Sequence, residues 1–140
     1  MKFRCIHCNI NVTNLNESIE FYKKALNMQV VREKEASDGS FKLVYLNDGQ
    51  SDFEIELTWL KDHPQAYELG ENESHICFEV EDFDQAHQLH QDMGYICFEN
   101  TAMGLYFIHD PDYYLLEIIN KKKIYLFLFP FYLYHIIYEK

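Results

Sequence analysis

The order strand, helix, strand, strand, strand is written twice along this chain, and that repeat constrains the fold more than any other feature. Residues 3–12 alternate apolar and polar side chains, the period of a half-buried strand. Residues 14–26 carry Ile19, Tyr22, Ala25 and Leu26 on one helical face, with Asn14 or Asn16 as cap and Asn27 suited to a left-handed exit. Strand patterns follow at 28–35, 41–46 and 53–58, separated by Ser37-Asp38-Gly39 and Asn47-Asp48-Gly49 turns. A loop over about 59–74 holds Pro64 and Gly70, and the order then recurs. A strand is expected over 75–80, a helix over 83–93 between Asp82 and Gly94, and strands over 95–100, 105–110 and 115–119, with Asp110-Pro111-Asp112 as a turn. The expected class is α+β: two βαβββ modules, about 3–58 and 74–120, pairing their sheets about a pseudo-twofold axis within one domain, 1–120.

The halves also echo each other in residues. His7-Cys8-Asn9-Ile10-Asn11-Val12 stands against His75-Ile76-Cys77-Phe78-Glu79-Val80, and Ile55-Glu56-Leu57 against Leu116-Glu117-Ile118. Each half thus opens on a strand bearing His and closes on a strand bearing Glu. Taken singly, each residue has a plainer reading. A Glu between Ile55 and Leu57 suits the wet face of an antiparallel sheet, and a lone strand His is usually structural. The matched placement of His7, Glu56, His75 and Glu117 is what selects a shared metal site between the modules. Glu54 lies on the same strand face as Glu56 and competes with it; the match to Glu117 favours Glu56. Two imidazoles and two carboxylates suit one divalent ion such as Ni²⁺, Co²⁺, Mn²⁺ or Zn²⁺. Such an ion polarises a carbonyl and stabilises an enediolate, while a carboxylate beside it moves a proton on and off carbon.

Composition narrows the partners. Of 140 residues, 48% are hydrophobic and 16% aromatic, enough for a core, and the formal net charge is −11. That charge disfavours nucleic acid and anionic lipid surfaces, leaving small molecules and metal ions. No apolar signal segment follows Met1-Lys2-Phe3-Arg4, so the expected compartment is the cytoplasm, with Cys5, Cys8, Cys77 and Cys97 as reduced thiols. Cys5 and Cys8 resemble a CxxC pair, yet three steps along a strand put them on opposite faces, and no second pair exists. His87 and His90 share a helix face without a visible third ligand, and His63, His109 and His135 have no evident partners. Most aromatic residues are read as core, with Phe53, Trp59 and Met103 as candidate pocket residues.

At these residues the chain resembles glyoxalase I (lactoylglutathione lyase) of the vicinal oxygen chelate superfamily, over about residues 3–120. The carriers are His7, Glu17-Ser18-Ile19-Glu20-Phe21-Tyr22, Ile55-Glu56-Leu57-Thr58, Tyr67-Glu68-Leu69-Gly70, Ser74-His75-Ile76, and Asp110-Pro111-Asp112 through Leu116-Glu117-Ile118. The resemblance implies paired βαβββ units around one divalent metal, Ni or Co favoured and Zn possible. It implies isomerisation of a methylglyoxal–thiol hemithioacetal to an S-lactoyl thioester, with Glu117 as the proton-shuttling base and Glu56 as its pseudo-symmetric partner. A homodimer is expected. Acyl-CoA epimerases and dioxygenases of the same superfamily are the alternatives, as is a metal-free small-ligand binding protein. Two His and one carboxylate would suit a dioxygenase better than this set of four; the epimerases usually present Gln where Glu56 stands.

Three features depart from the family pattern. Members that use glutathione carry Arg at the position of Asn11 and Asn at the position of Leu60, so the thiol cosubstrate is left open and glutathione is not expected to be the best one. Tyr113 stands where the family turn has Gly, and a left-handed backbone there would be strained. After Lys121-Lys122-Lys123, residues 124–138 are almost wholly apolar and aromatic. Within this tail, 121–140, the apolar run 124–138 is interrupted by Pro130 and is short of the roughly 20 residues needed to span a bilayer. A membrane role is not the expectation, and an exposed tail of this kind is an aggregation hazard.

Overall fold

The computed structural model describes residues 1–121, and the tail beyond Lys121 lies outside the described residues. The elements run β1 His7–Asn11, α1 Leu15–Leu26, β2 Gln29–Glu35, β3 Phe41–Asn47 and β4 Glu54–Leu60. They continue with β5 His75–Val80, α2 Phe83–Met93, β6 Ile96–Asn100, β7 Leu105–His109 and β8 Leu115–Asn120. The strands form two four-stranded sheets, in the orders β1-β4-β3-β2 and β5-β8-β7-β6. In each, the strand that opens the repeat runs parallel to the one that closes it, and the other pairings are antiparallel. Even the register shifts correspond, between Val30 and Arg32 in β2 and between Ile96 and Phe98 in β6. This is the α+β, twofold βαβββ architecture that the repeat implied.

The caps explain where the helices start and stop. The Asn14 side chain accepts from the Glu17 N–H, and Asn27 closes α1 at φ 53°. Asp82 accepts from the Gln85 N–H, and Gly94 closes α2 at φ 76°. The buried residues of α1 are Ser18, Phe21, Tyr22 and Ala25; Tyr22 and Ala25 are buried as expected, while Ile19 and Leu26 of the expected face are half-buried. Ser18 tolerates burial because its hydroxyl donates to the Asn14 carbonyl at 3.1 Å. The first strand is shorter than the alternation over 3–12 implied. Its partner β4 begins at Glu54, opposite His7, so residues 1–6 have no strand to pair along.

The described residues cluster into two compact units. The first holds 1–72 together with Asp110–Tyr114, and the second holds Glu73–His109 and, of the described residues, 115–121. The turn joining β7 to β8 therefore packs with the first unit. Ile10, Val12, Phe21, Tyr22, Met28, Leu46, Ile55 and Leu57 are buried in the first unit, and Tyr106, Ile108, Leu116 and Ile118 in the second. Each such aliphatic side chain contributes about 1.5–3 kcal/mol relative to exposure. Along β4 and β8 the fully buried residues alternate with less buried ones, and Glu56 and Glu117 take the second kind of place. No helix of the described residues is long and apolar enough to cross a membrane.

Candidate metal centre

In the first unit, β1 and β4 lie side by side and place His7 and Glu56 on one sheet face. His7 Nε2 stands 3.6 Å from Glu56 Oε2. The other carboxylate oxygen, Oε1, accepts from Asn9 Nδ2 at 2.9 Å and from Thr58 Oγ1 at 3.2 Å. The Tyr45 hydroxyl, across the register on β3, also favours the charged form of this carboxylate. Partial burial opposes ionisation of Glu56, but the donors Tyr45, Asn9 and Thr58, with His7, outweigh it and hold its carboxyl below the usual range. Arg32 lies over the Tyr45 ring, its guanidinium carbon 3.2 Å from the ring centroid.

In the second unit, β5 and β8 repeat the arrangement. His75 Nε2 stands 3.1 Å from Glu117 Oε2. Phe107 occupies the register position opposite Glu117 that Tyr45 occupies opposite Glu56, and its ring meets His75 edge-on at 5.2 Å. Cys77 sits beside Glu117 as Asn9 sits beside Glu56. Partial desolvation and the neighbouring Glu117 carboxylate push the Cys77 thiol up to about 12, so it stays protonated. Both imidazoles remain reachable, with 36% and 38% of the His7 and His75 side chains exposed.

The structure pairs the expected ligands two by two, His7 with Glu56 in the first unit and His75 with Glu117 in the second. Among the described residues, no group of three or more His, Cys, Asp or Glu side chains is placed to hold an ion. The donor chemistry fits a divalent ion, since each pair offers one imidazole nitrogen and one carboxylate oxygen. Each pair alone supplies two donors.

The competing residues are engaged elsewhere. Glu54 is paired with Arg32, whose Nε stands 3.1 Å from Oε2. Cys5 is exposed ahead of β1, Cys8 is half-buried, and all four cysteines are free thiols. His87 pairs with Glu99 at 3.0 Å, while His90 is buried and bonded to the Tyr106 hydroxyl at 2.8 Å. The shared helix spacing of these two histidines therefore serves different contacts. His63 stacks on Tyr67 and His109 meets Tyr95; His135 lies outside the described residues. Trp59 lines a cavity of about 340 Å³ with Thr13, Asn14 and Lys42, whereas Met103 is 60% exposed. Tyr113 does adopt a left-handed backbone, at φ 70°.

Asn9, Thr58, Tyr45 and Cys77 went unnoticed as neighbours of the carboxylates in the sequence. Three of them were within reach of a period-two argument, because Asn9, Thr58 and Cys77 lie two residues beyond His7, Glu56 and His75. Tyr45 needed the register of β3 against β4.

A family model described as the Glyoxalase/Bleomycin resistance protein/Dioxygenase superfamily matches residues 4–118. The chain is 32% identical to a lactoylglutathione lyase of Neisseria meningitidis serogroup A over 127 residues, covering 85% of this chain and 91% of the relative. It is 32% identical to a lactoylglutathione lyase of Escherichia coli O157:H7 over 129 residues, covering 85% and 93%. Among solved structures, the trypanothione-dependent glyoxalase I of Leishmania major superposes with a TM-score of 0.79 at 30% identity, covering 88% of this chain and 90% of that one. With the doubled fold and a His–Glu pair in each half, these likenesses place the chain in the glyoxalase superfamily, as a lactoylglutathione lyase-like enzyme of the carbon–sulfur lyase kind.

Proposed function

We propose that this chain isomerises the hemithioacetal of methylglyoxal and a cellular thiol to an S-lactoyl thioester, using one divalent metal ion held by His7, Glu56, His75 and Glu117. The observation that carries this reading is the pair of His–Glu couples at matching places in the two repeats. Two donors from each half make the set of four, completed by pairing of the modules in one chain or between two copies; a cytoplasmic homodimer is the form we expect. Ni²⁺ or Co²⁺ is favoured, and Zn²⁺ also suits the donors. When bound, the ion supplies Lewis-acid polarisation of the substrate oxygens.

The protein's own work is proton transfer. Glu117 takes the proton from the carbon bearing sulfur and hydroxyl, and a proton is returned to the neighbouring former carbonyl carbon. No atoms are gained or lost, so the step is an internal redox shift between two carbons. Glu56, which already accepts from Asn9 and Thr58, serves as ligand and as the pseudo-symmetric carboxylate.

Glutathione is not the best thiol cosubstrate in this reading. Asn11, on β1, offers only a neutral amide where a cation would hold a peptide carboxylate. The trypanothione dependence described for the similar Leishmania enzyme supports a fold that accepts other thiols. The test is elemental analysis of the purified chain together with a methylglyoxal–thiol isomerisation assay after metal removal and after Ni²⁺ or Zn²⁺ addition. Stoichiometric metal and metal-restored isomerisation are expected. Full activity in the metal-free protein would overturn the proposal.

A further inference from the structure

Resting on the metal reading above, we infer that Asn9, Thr58 and Tyr45 form a one-sided clamp that fixes Glu56 as a one-oxygen ligand and leaves Glu117 the less restrained carboxylate. The two oxygens of Glu56 have different neighbours. Oε1 takes both the Asn9 amide and the Thr58 hydroxyl, at 2.9 and 3.2 Å. Oε2 faces His7 Nε2 at 3.6 Å. Asn9 also bonds to Thr58, so the two donors hold each other in place. A carboxylate whose one oxygen is occupied by neutral donors presents the other to a cation without a search through rotamers.

Tyr45 completes the clamp. It is only 7% exposed, it stands opposite Glu56 in the strand register where its hydroxyl favours the charged carboxylate, and its ring meets His7 edge-on and carries the Arg32 guanidinium over its face. Arg32 is itself held by Glu54. The chain of contacts therefore runs from Glu54 through Arg32 and Tyr45 to the proposed ligand. The matching positions of the other half cannot do the same. Phe107 has no hydroxyl, and Ile119, two residues past Glu117, has no donor side chain. Cys77 offers one weak thiol donor. Asn9, Thr58 and Tyr45 act through Glu56 and are positioning residues.

The experiment uses the full chain and Ni²⁺ alone, with the dissociation constant read by calorimetry and kcat and KM measured separately. Asn9→Ala and Tyr45→Phe are each expected to weaken Ni²⁺ binding about tenfold, the lower end for an outer partner of a metal ligand. Asn9 is exposed, so its variant folds on other contacts, and circular dichroism checks this. Cys77→Asn, which gives Glu117 the donor that Glu56 has, is expected to lower kcat several-fold with KM and Ni²⁺ affinity little changed. Ni²⁺ affinities within twofold of wild type in both Asn9→Ala and Tyr45→Phe would overturn the clamp while leaving the metal site standing. Wild-type protein that binds no Ni²⁺ would overturn the metal reading and the clamp together.

Discussion

The two halves share one topology and differ in what surrounds the same carboxylate. Around Glu56 stand Asn9, Thr58 and Tyr45; around Glu117 stand Cys77, Ile119 and Phe107. The flanking strand continues the contrast. Arg32 lies against Tyr45 in the first unit, while Phe98 meets Phe107 at 6.0 Å in the second. Backbone pairing fixes where these side chains stand, and the side chains alone decide how firmly a carboxylate is held. A duplicated fold can therefore give two copies of one residue different tasks without moving a strand.

The largest expected effect separates those tasks. Glu117→Gln keeps an oxygen ligand and removes a base, so kcat should fall by about 10²–10⁴-fold, the usual contribution of a positioned proton carrier. Glu56→Gln should act first on metal affinity, because its hydrogen-bond partners mark it as a held ligand. Steady-state kinetics at saturating Ni²⁺ distinguishes the two. Near-normal kcat in Glu117→Gln with a collapse in Glu56→Gln would invert the assignment.

A smaller effect concerns the thiol. Asn11 on β1 and Glu79 on β5 occupy matching places, and neither supplies a cation. A charge-assisted bond contributes about 1.5–3 kcal/mol, so its absence weakens an anionic peptide thiol by roughly tenfold to a hundredfold. Hemithioacetals of smaller or less anionic thiols should give higher kcat/KM than that of glutathione, and Asn11→Arg should narrow the gap. Glutathione giving the highest value, with no gain from Asn11→Arg, would refute this reading.

The turns that close the two halves carry the comparison into stability. Asp48 Oδ1 accepts the Gln50 and Ser51 N–H groups at 2.8 Å each. Burial opposes its charge, but those donors and the Ser51 hydroxyl prevail and its carboxyl titrates below the usual range. Asp110 has similar local partners, the Asp112 and Tyr114 N–H groups, plus the buried Tyr22 hydroxyl at 3.0 Å. It is fully buried, and burial wins: its carboxyl is raised from 3.8 to about 6. A folded-state value above the unfolded one means that the folded protein binds the extra proton. The contribution is complete below about 3.8 and is lost as pH rises through about 6. Relative to Asp110→Asn, wild type should gain up to about 3 kcal/mol as pH falls from 7 toward 4. Urea midpoints of both proteins across that range measure the difference; parallel curves would refute it.

Local signals carried most of the fold. The second half was legible almost residue by residue, because Asp82 and Gly94 bracket α2 and His75–Val80 alternates cleanly between the faces of its sheet. The preference for Glu56 over Glu54 rested on the repeat, and Arg32 now accounts for Glu54. What stayed hidden depends on register or on depth. Tyr45 reaches Glu56 only because β3 pairs with β4 in one alignment, and no local pattern encodes that alignment. Ser18 reads as a surface residue until its hydroxyl is seen returned to the helix backbone. Asp110 reads as an ordinary turn acid, and its burial follows from the turn packing with the first unit.

The smallest effect lies in the left-handed residue that each closing turn contains. The first turn uses Gly49 at φ 72°, and the second uses Tyr113 at φ 70°. An L-residue in this region costs about 1–2 kcal/mol, while glycine pays part of that back through greater freedom in the unfolded chain. Tyr113 is 67% exposed, so replacing it forfeits little burial. Its N–H bond to the Asp110 carbonyl and its own carbonyl's bond from Asn72 are backbone contacts that glycine retains. Tyr113→Gly should therefore stabilise the protein by about 0.5–1 kcal/mol. The mirror change, Gly49→Ala, meets no atom within 4 Å and so tests the backbone alone. It should destabilise by about 1 kcal/mol. Chemical denaturation of both variants at one pH compares the two turns directly. A loss of stability in Tyr113→Gly would mean that the tyrosine ring contributes more to its turn than the strained backbone takes away.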